Sequence, residues 1–353
     1  MLTVVDQRLA RPQKNYLQSP SLPLEESKKF KLNIFYYTYP WAFDVPGGGE
    51  RQMVSYRQHL AKWGINAQLF DMWRPDFSDG GIFHCFSVMP GVVEICDYAR
   101  KRGLKLVISP NLWVTHESKS RYPAQVIWNL FEMADAIVVN SEIEKNTLSD
   151  VFGFPVEKFH VVYNAAETEF LLSENPALFR DAFGIRMPYV LNIANIEPRK
   201  NQLNFLTALR QERPDLALVV IGHERDQEYA AACRAVGGDR LITIGPQPYA
   251  SPMIRSALSG CEFFAMPSAL ETPSIAAIEA AAAGVRVLLT EVGSTVEYFQ
   301  QSVTYVTPDS LPSIAAGISE IKNATAENST WVARNGYLWP KVIPSLIEIY
   351  RSL

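Results

Sequence analysis

The segment Glu262–Thr290 reads EFFAMPSALETPSIAAIEAAAAGVRVLLT and predicts a strand, a loop, a helix and a second strand. An apolar run ends at Met266, an alanine-rich stretch follows the loop and ends at Gly284, and a second apolar run continues to Thr290. Two strands joined by a helix lie parallel in a sheet, with the helix on one face. This segment therefore predicts an α/β fold with a parallel sheet.

The same alternation extends along the chain in both directions. Short β-rich runs occur at 32–37, 82–86, 104–109, 136–140 and 158–163, and a second series occurs at 189–194, 216–222, 241–245, 262–266, 285–290 and 303–306. Helix-like segments separate them, for example at 50–63, 91–103 and 142–152. Two such series, joined near residues 170–186, predict two doubly wound domains.

Composition restricts the functional class. A chain of 353 residues suits two domains, and a net charge of −4 argues against a general nucleic-acid binder. The four cysteines are widely separated, which argues against a zinc or disulfide framework and favours a reducing, cytoplasmic compartment. No run approaches 18 uninterrupted apolar residues, so no membrane-spanning helix is expected.

Two carboxylates flank the predicted helix start after Met266. Glu271 lies in the loop, Ser274 is a plausible N-cap, and Glu279 lies about one turn into the helix. The free amides of a helix N-terminus bind phosphate, and carboxylates accept hydrogen bonds from sugar hydroxyls. The arrangement suits a nucleotide sugar, although a solvent-exposed loop glutamate and a helix-surface glutamate fit the spacing equally well.

Positive charge follows another strand, in Asn195–Gln202. Arg199 offers a bidentate fork for phosphate and Lys200 a point charge, although a solvated basic pair is the alternative. No Asp-x-Asp pair follows a strand in the first half of the chain, so the carboxylate pair that would hold a diphosphate through a divalent cation is missing. We therefore expect sugar transfer without a metal, and no cofactor.

Other candidates lie in the first half. Gly47, Gly48 and Gly49 allow a ligand to approach the backbone closely, although a purely structural turn is the alternative. His116 follows the predicted strand at 104–109 and is a candidate for the cleft, although a lone histidine is more often structural. Aromatic side chains that could stack on sugar rings flank the same edge: Trp41, Phe43 and Trp113.

Taken together, these segments resemble glycosyltransferase family 4, a group of retaining enzymes with the GT-B fold. Glu271 to Glu279 looks like the family's Glu-x7-Glu signature, and Asn195–Gln202 looks like its phosphate motif, with Lys200 at the lysine position. The glycine loop, the segments 139–141 and 162–164, and the C-terminal stretch Trp339–Tyr350 also resemble family features. The similarity runs from about residue 31 to the end of the chain.

The resemblance implies two Rossmann-like domains that face a central cleft. The expected segments are an N-terminal arm at 1–30, an acceptor domain at 31–172, a donor domain at 173–335 and a C-terminal helix at 336–353 that crosses back to the first domain. The implied partners are a nucleotide-sugar donor and a carbohydrate or lipid-linked acceptor, with no nucleic acid. The expected location is cytoplasmic, and peripheral contact with the inner membrane face stays open.

The resemblance also assigns roles to individual residues. Glu271, His116 and Lys200 are the implied catalytic residues, with Glu271 accepting from a donor-sugar hydroxyl and Glu279 from the ribose. The implied donor-binding residues are Glu279, Arg199, Asn195, Thr272, Pro273, Ser274, Ile275, Gly48 and Gly49.

Three features depart from the family pattern. Asn195 stands where the family usually has arginine, so Arg199 is the expected substitute. Thr272-Pro273-Ser274 replaces a loop that is usually rich in glycine, and the family's first-domain histidine has only His116 as a candidate match. Two other functions stay open on the same fold: a degenerate protein that only binds a nucleotide or a partner, and a sugar-nucleotide epimerase.

Overall fold

Two six-stranded parallel sheets form the framework of the protein. The structure is a computed structural model that describes residues 32–77, 80–324, 331, 332 and 334–353. The first sheet has the order β2-β1-β3-β4-β5-β6 and the second the order β12-β11-β10-β7-β8-β9. In chain order the strands are β1 Ile34–Tyr37, β2 Ala67–Leu69, β3 Ile82–Cys85, β4 Lys105–Ile108, β5 Ala136–Val139, β6 Phe159–Val161, β7 Tyr189–Ile193, β8 Ala217–Ile221, β9 Leu241–Ile244, β10 Phe263–Met266, β11 Val287–Thr290 and β12 Thr304–Val306.

Helices connect the strands and cover the sheets. They are α1 Gly48–Lys62, α2 Val93–Lys101, α3 Ala124–Met133, α4 Glu142–Phe152, α5 Pro176–Phe183, α6 Gln202–Glu212, α7 Gln227–Gly237, α8 Pro252–Gly260, α9 Ile275–Ala282, α10 Thr295–Phe299, α11 Leu311–Glu320 and α12 Trp339–Ser352. Within the described residues, none of these helices combines the length and apolar character needed to cross a membrane.

Local sequence signals account for several element ends. Ser141 caps α4 by accepting a hydrogen bond from the Glu144 amide at 2.9 Å, and Gly153 ends that helix with φ of 72°. Serine at the N-cap and glycine in the left-handed region after the last turn satisfy backbone groups that the helix leaves unpaired. The predicted helix at 142–152 is therefore confirmed over its full length.

The predicted α/β fold with two parallel sheets is confirmed. The structure contains one strand, β2, that the sequence pattern did not predict. β2 is a three-residue edge strand in which Ala67 is buried and its two successors are exposed. So short a segment at the edge of a sheet carries too few apolar residues to show a strand pattern in the sequence. The predicted arm at 1–30 lies outside the described residues, and the other domain boundaries stay predictions.

The C-terminal helix α12 packs on α1 beside the first sheet. Trp339 is fully buried and meets the Tyr56 ring edge-on, with the ring centroids 5.6 Å apart. At the other end of the helix, the Tyr350 hydroxyl lies 2.6 Å from His84 Nδ1. The last residues of the chain therefore complete the core around the first sheet.

We expect Trp339→Ala to lower the free energy of unfolding by about 3–5 kcal/mol, because truncating a fully buried tryptophan leaves a large cavity. Ser345→Ala, on the exposed side of the same helix, is the matched control and should change stability by less than about 0.5 kcal/mol. Urea denaturation followed by circular dichroism measures both values. Equal stability of the two variants would show that α12 does not contribute to the core.

Candidate functional site

A cavity of about 530 Å³ lies between the carboxyl ends of the two sheets. Its lining comes mainly from segments that follow β1, β4 and β6 of the first sheet and β7, β8, β9 and β10 of the second. In a parallel sheet every strand points its carboxyl end to the same edge, and ligands bind outside that edge. The sequence-predicted site residues in the lining are Gly47, Gly48, Gly49, Trp113, Asn195, Arg199, Lys200, Glu271, Thr272, Ser274, Ile275 and Glu279.

Glu271 is paired with positive charge inside the cavity. Lys200 Nζ lies 2.6 Å from Glu271 Oε1, and Arg199 Nη1 lies 3.9 Å from the same oxygen. Burial alone would raise the pKa of the Glu271 carboxyl, but Lys200 and Arg199 outweigh it and hold that pKa below its ordinary value. Burial also lowers the pKa of Lys200, and Glu271 opposes that shift. We therefore treat the two side chains as an ion pair.

A short helical turn and side-chain hydrogen bonds fix the loop that carries Lys200. Pro198–Lys200 form one 3₁₀ turn after β7, and Asn201 then adopts φ of 59° before α6 begins. The side-chain amide of Asn201 donates through Nδ2 to the carbonyls of Pro267 and Pro308, at 3.0 and 2.9 Å. The bond to Pro267 connects the turn to the loop after β10. The two segments that the sequence singled out are therefore joined beneath the cavity.

Glu279 lies in the opposite electrostatic situation. It is buried on α9, and its Oε1 has no hydrogen-bond partner among the residues that the structure describes. Burial raises its pKa to about 8, although the nearby Tyr249 hydroxyl and Arg51 guanidinium oppose the shift. A buried polar atom without a partner is costly, and such atoms are commonly found where a ligand supplies the missing contact.

The start of α9 faces the same cavity. Ser274 is the N-cap, its side chain accepts from the Ala277 amide at 3.4 Å, and its backbone has φ of 80°. The amides of Ile275 and Ala276 are the first two of the helix and have no carbonyl one turn back to bind. These amides and the positive end of the helix dipole suit an anionic group.

The glycine loop forms the first-sheet side of the cavity entrance. Glu50 binds back to the N-cap of α1, with the Gly47 amide donating to Glu50 Oε2 at 2.7 Å. A Cβ on Gly49 would lie 3.2 Å from Asn111 Nδ2, whereas a Cβ on Gly48 would meet no atom within 4 Å. A side chain at position 49 would therefore be tight against Asn111, whereas the space beside Gly48 is open.

Two side chains connect the halves across the cavity. The Arg51 guanidinium carbon lies 3.5 Å from the centroid of the Tyr249 ring. Arg51 belongs to α1, next to the glycine loop, and Tyr249 follows β9 of the second sheet. A cation over an aromatic face is attractive, more so when partly removed from water. The Glu279 carboxylate therefore lies beside a contact to which both halves contribute.

Amide side chains form the first-sheet wall. Gln52 Nε2 donates to Oδ1 of Asn140 at 2.5 Å and of Asn164 at 3.1 Å, and Asn140 Nδ2 donates to Asn111 Oδ1 at 3.3 Å. Asn111 and Asn164 line the cavity, whereas Gln52 and Asn140 are buried behind them. The network holds uncharged donors and acceptors in place on the side opposite Glu271.

His116 does not reach the cavity, which corrects its expected position in the cleft. After Trp113 the chain turns away, and the Thr115 amide donates to Ser118 Oγ at 2.9 Å. His116 Nε2 instead lies 2.8 Å from Asp150 Oδ2 in an exposed pair. His116 follows β4 in the sequence and could therefore have reached the site, but the local turn points its side chain away from the cavity. Pro273 also lies outside the lining, as do the exposed aromatics Trp41 and Phe43.

Several lining residues escaped the sequence analysis, namely Asn111, Asn164, Glu197, Gly222, Arg225 and Tyr249. Gly222 is the last residue of a predicted strand and the others lie after predicted strands, so the rule that ligands bind at carboxyl ends could have found them. Gly222 carries a further signal, because a Cβ there would lie 2.2 Å from the Ala194 carbonyl oxygen. Glu197 receives Arg199 Nη2 at 3.0 Å and Arg225 Nη1 at 3.4 Å, which orients both guanidinium groups at the cavity edge.

Comparison with known families and structures agrees with this geometry. The family model described as glycosyl transferases group 1 matches residues 179–338, and the model described as glycosyltransferase family 4 matches residues 73–170. A curated relative, the uncharacterized glycosyltransferase MJ1607 of Methanocaldococcus jannaschii, is 23% identical over an alignment of 239 residues that covers 63% of this chain. The aligned region spans 60% of the length of that relative.

Two solved structures share the fold at low sequence identity. Anabaena HepE, solved in complex with UDP and glucose, is 16% identical with a TM-score of 0.74 over 92% of this chain and 100% of its own. The sucrose-phosphate synthase of Thermosynechococcus elongatus is 15% identical with a TM-score of 0.71 over 92% and 99% of the two chains. With its two parallel sheets in the GT-B arrangement and both family models matched in order, the chain belongs to glycosyltransferase family 4.

Proposed function

We propose that the protein transfers a sugar from a nucleotide-sugar donor to a hydroxyl acceptor, with retention of anomeric configuration and without a metal ion. The observation that carries the proposal is the cavity in which the Lys200–Glu271 pair, the free amides of α9 and the unpartnered Oε1 atom of Glu279 meet. A sugar hydroxyl, a diphosphate and a ribose are the three groups that such a set of partners would bind.

The donor would bind on the second-sheet side. Glu279 would accept hydrogen bonds from the ribose, because its buried Oε1 has no partner among the described residues. The amides of Ser274 and Ile275, with Lys200 and Arg199, would hold the diphosphate, and Asn195, Thr272 and Gly48 would border it. Glu271 would accept from a hydroxyl of the donor sugar while Lys200 exchanges part of its contact for a phosphate oxygen.

Stabilising the departing diphosphate is the main catalytic task, because negative charge develops on it in the transition state. Fixed amides and the Lys200 ammonium in a partly buried cavity would do this without reorganisation of solvent. For retention, the acceptor hydroxyl would enter on the face from which the diphosphate leaves. That route requires no protein nucleophile, and the proposal gives no role to His116.

The acceptor would approach the first-sheet side, where Asn111 and Asn164 present polar groups and Trp113 an aromatic surface. Sugar rings pack their apolar faces on aromatic side chains while amides bind their hydroxyls. We therefore propose a carbohydrate acceptor, free or lipid-linked. Action in the cytoplasm, with peripheral contact at the inner membrane face when the acceptor is lipid-linked, belongs to the same proposal.

The decisive experiment incubates the purified protein with a panel of nucleotide sugars, starting with UDP-glucose because HepE was solved with that compound. Slow release of free nucleotide, accelerated by a suitable acceptor, supports a transferase. Interconversion of the sugar without release would support an epimerase, and tight binding with no turnover would support a protein that only binds nucleotide.

We expect Glu279→Gln to weaken binding of a nucleoside diphosphate about tenfold or more, because the ribose loses a charged hydrogen-bond acceptor. Glu271→Gln should leave that affinity within about threefold and lower turnover instead, since its partner is the donor sugar rather than the nucleotide. Calorimetric titration with UDP, followed by steady-state kinetics, separates the two effects. Equal UDP affinity in wild type and Glu279→Gln would remove Glu279 from the site.

The pH dependence follows from the raised pKa of Glu279, about 8. If the ribose binds the ionised carboxylate, the ratio of UDP affinities between wild type and Glu279→Gln should increase through the pKa of about 8 and level off about one pH unit above it. The folded protein retains a proton that an ordinary carboxyl loses, so this group's contribution to stability falls as pH rises from the ordinary carboxyl pKa of 4.5 to about 8. Glu279→Gln should therefore stabilise the protein more at pH 8 than at pH 5, as measured by thermal unfolding.

We expect transfer to continue in EDTA, because Lys200 and the α9 amides supply the positive potential that a cation would otherwise provide. Lys200→Met should lower turnover about 100-fold or more, in the range seen when one preorganised donor is lost. Lys101→Met, an exposed substitution on α2, is the matched control. Complete loss of activity in EDTA with recovery on addition of magnesium would contradict the proposal.

A further inference from the structure

The short helix α10 contacts the half of the molecule to which it does not belong by sequence. It follows β11 of the second sheet, yet the Glu297 carboxylate accepts hydrogen bonds from the amides of Glu142 and Ile143, both at 2.9 Å. These amides open α4, which follows β5 of the first sheet. The Tyr163 hydroxyl donates to the same carboxylate at 2.8 Å.

This contact completes the start of α4. The first amides of a helix have no partner inside it, and the positive end of the helix dipole favours a carboxylate. Ser141 binds the Glu144 amide at 2.9 Å, and Glu297 binds the two amides before it. The donors in the first turn of α4 are therefore satisfied jointly by a residue of each half.

The neighbouring residue Tyr298 makes a second connection. Its buried hydroxyl accepts from the Asn164 amide at 2.8 Å and donates to the Asn140 carbonyl. Asn164 lines the cavity, and the Asn140 side chain binds Asn111, which also lines it. The hydroxyl of Tyr298 therefore holds the backbone of the first-sheet wall directly.

The residues just before α10, Val292 to Ser294, are hydrogen-bonded to the backbone of Glu271. The Glu271 amide donates to the Val292 carbonyl at 3.2 Å, and the Ser294 amide donates to the Glu271 carbonyl at 3.1 Å. Between them Gly293 has φ of 105°, and a Cβ there would lie 2.0 Å from the Glu271 carbonyl oxygen. The backbone of the proposed sugar-binding carboxylate and the start of α10 therefore form one unit.

We propose that Glu297 and Tyr298 are positioning residues that set the first-sheet wall of the cavity, Asn111 and Asn164, at a defined distance from Glu271. The role in catalysis rests on the proposed transferase function, because only a reaction between groups bound on the two halves needs that distance. Neither residue lines the cavity, so the effect is transmitted through α4 and the Asn140–Asn164 amide network.

The test compares full-length wild type with Glu297→Ala, Glu297→Gln and Tyr298→Phe. Hydrogen exchange of the Glu142 and Ile143 amides should accelerate about tenfold or more in Glu297→Ala, since two charge-assisted hydrogen bonds are lost. Glu297→Gln should fall between, because one amide oxygen remains to accept. Small-angle scattering should show a larger radius of gyration for Glu297→Ala than for wild type.

Kinetic measurements distinguish a loss of alignment between the two halves from a general loss of structure. We expect transfer turnover to fall about tenfold in Glu297→Ala and Tyr298→Phe while UDP affinity stays within about twofold, because all the groups proposed to bind the nucleotide except Gly48 belong to the second half. Glu291→Gln is the matched control: it lies six residues earlier and its carboxylate binds Thr307 rather than the first half. That variant should match wild type in every measurement.

Two results would overturn the proposal. Unchanged exchange at Glu142 and Ile143 in Glu297→Ala would show that the carboxylate does not hold α4, and a parallel fall in turnover and UDP affinity would show a loss of structure rather than of alignment. If wild type transfers no sugar from any donor, the proposed function fails, and exchange and scattering still decide whether Glu297 and Tyr298 connect the two halves.

Discussion

Parallel pairing in both sheets decides where polar chemistry can occur in this protein. Since all strands of a sheet end at one edge, each strand-to-helix loop there exposes polar backbone and side chains that must find a partner or a ligand. The two sheets turn these edges towards a common cavity, so the groups left unsatisfied by one half face those of the other. Helix starts, cationic side chains and buried amides are therefore gathered within a single volume.

Glu271 and Glu279 lie in the same cavity, but their surroundings shift their pKa values in opposite directions. Lys200 and Arg199 keep the pKa of Glu271 low, whereas burial raises that of Glu279 to about 8. The difference depends on the 3₁₀ turn that brings Lys200 beneath the loop after β10. Glu271 is thus paired with Lys200, while Oε1 of Glu279 has no hydrogen-bond partner among the described residues.

Two of the contacts between the halves each use a charged side chain. Arg51 lies over Tyr249 beside Glu279, and the Glu297 carboxylate caps α4. Both use a charge whose partner is an aromatic face or a helix end, and both occur next to residues that line the cavity. The C-terminal helix α12, which follows the second sheet in the chain, also packs into the core around the first sheet. Geometry on one side of the cavity is therefore coupled to geometry on the other.

The sequence alone was sufficient for the fold class, for nearly all strands and for the lining segments around Gly48, Lys200 and Glu271, because apolar periodicity and turn residues are local properties. The spacing of Glu271, Ser274 and Glu279 around a helix start likewise follows from the chain itself. Tertiary structure decided the rest: that Lys200 pairs with Glu271, that Oε1 of Glu279 has no hydrogen-bond partner within the described residues, and that His116 turns away to Asp150. These outcomes depend on which distant segments become neighbours and on how much water they exclude, and neither quantity is encoded in the local pattern of residues.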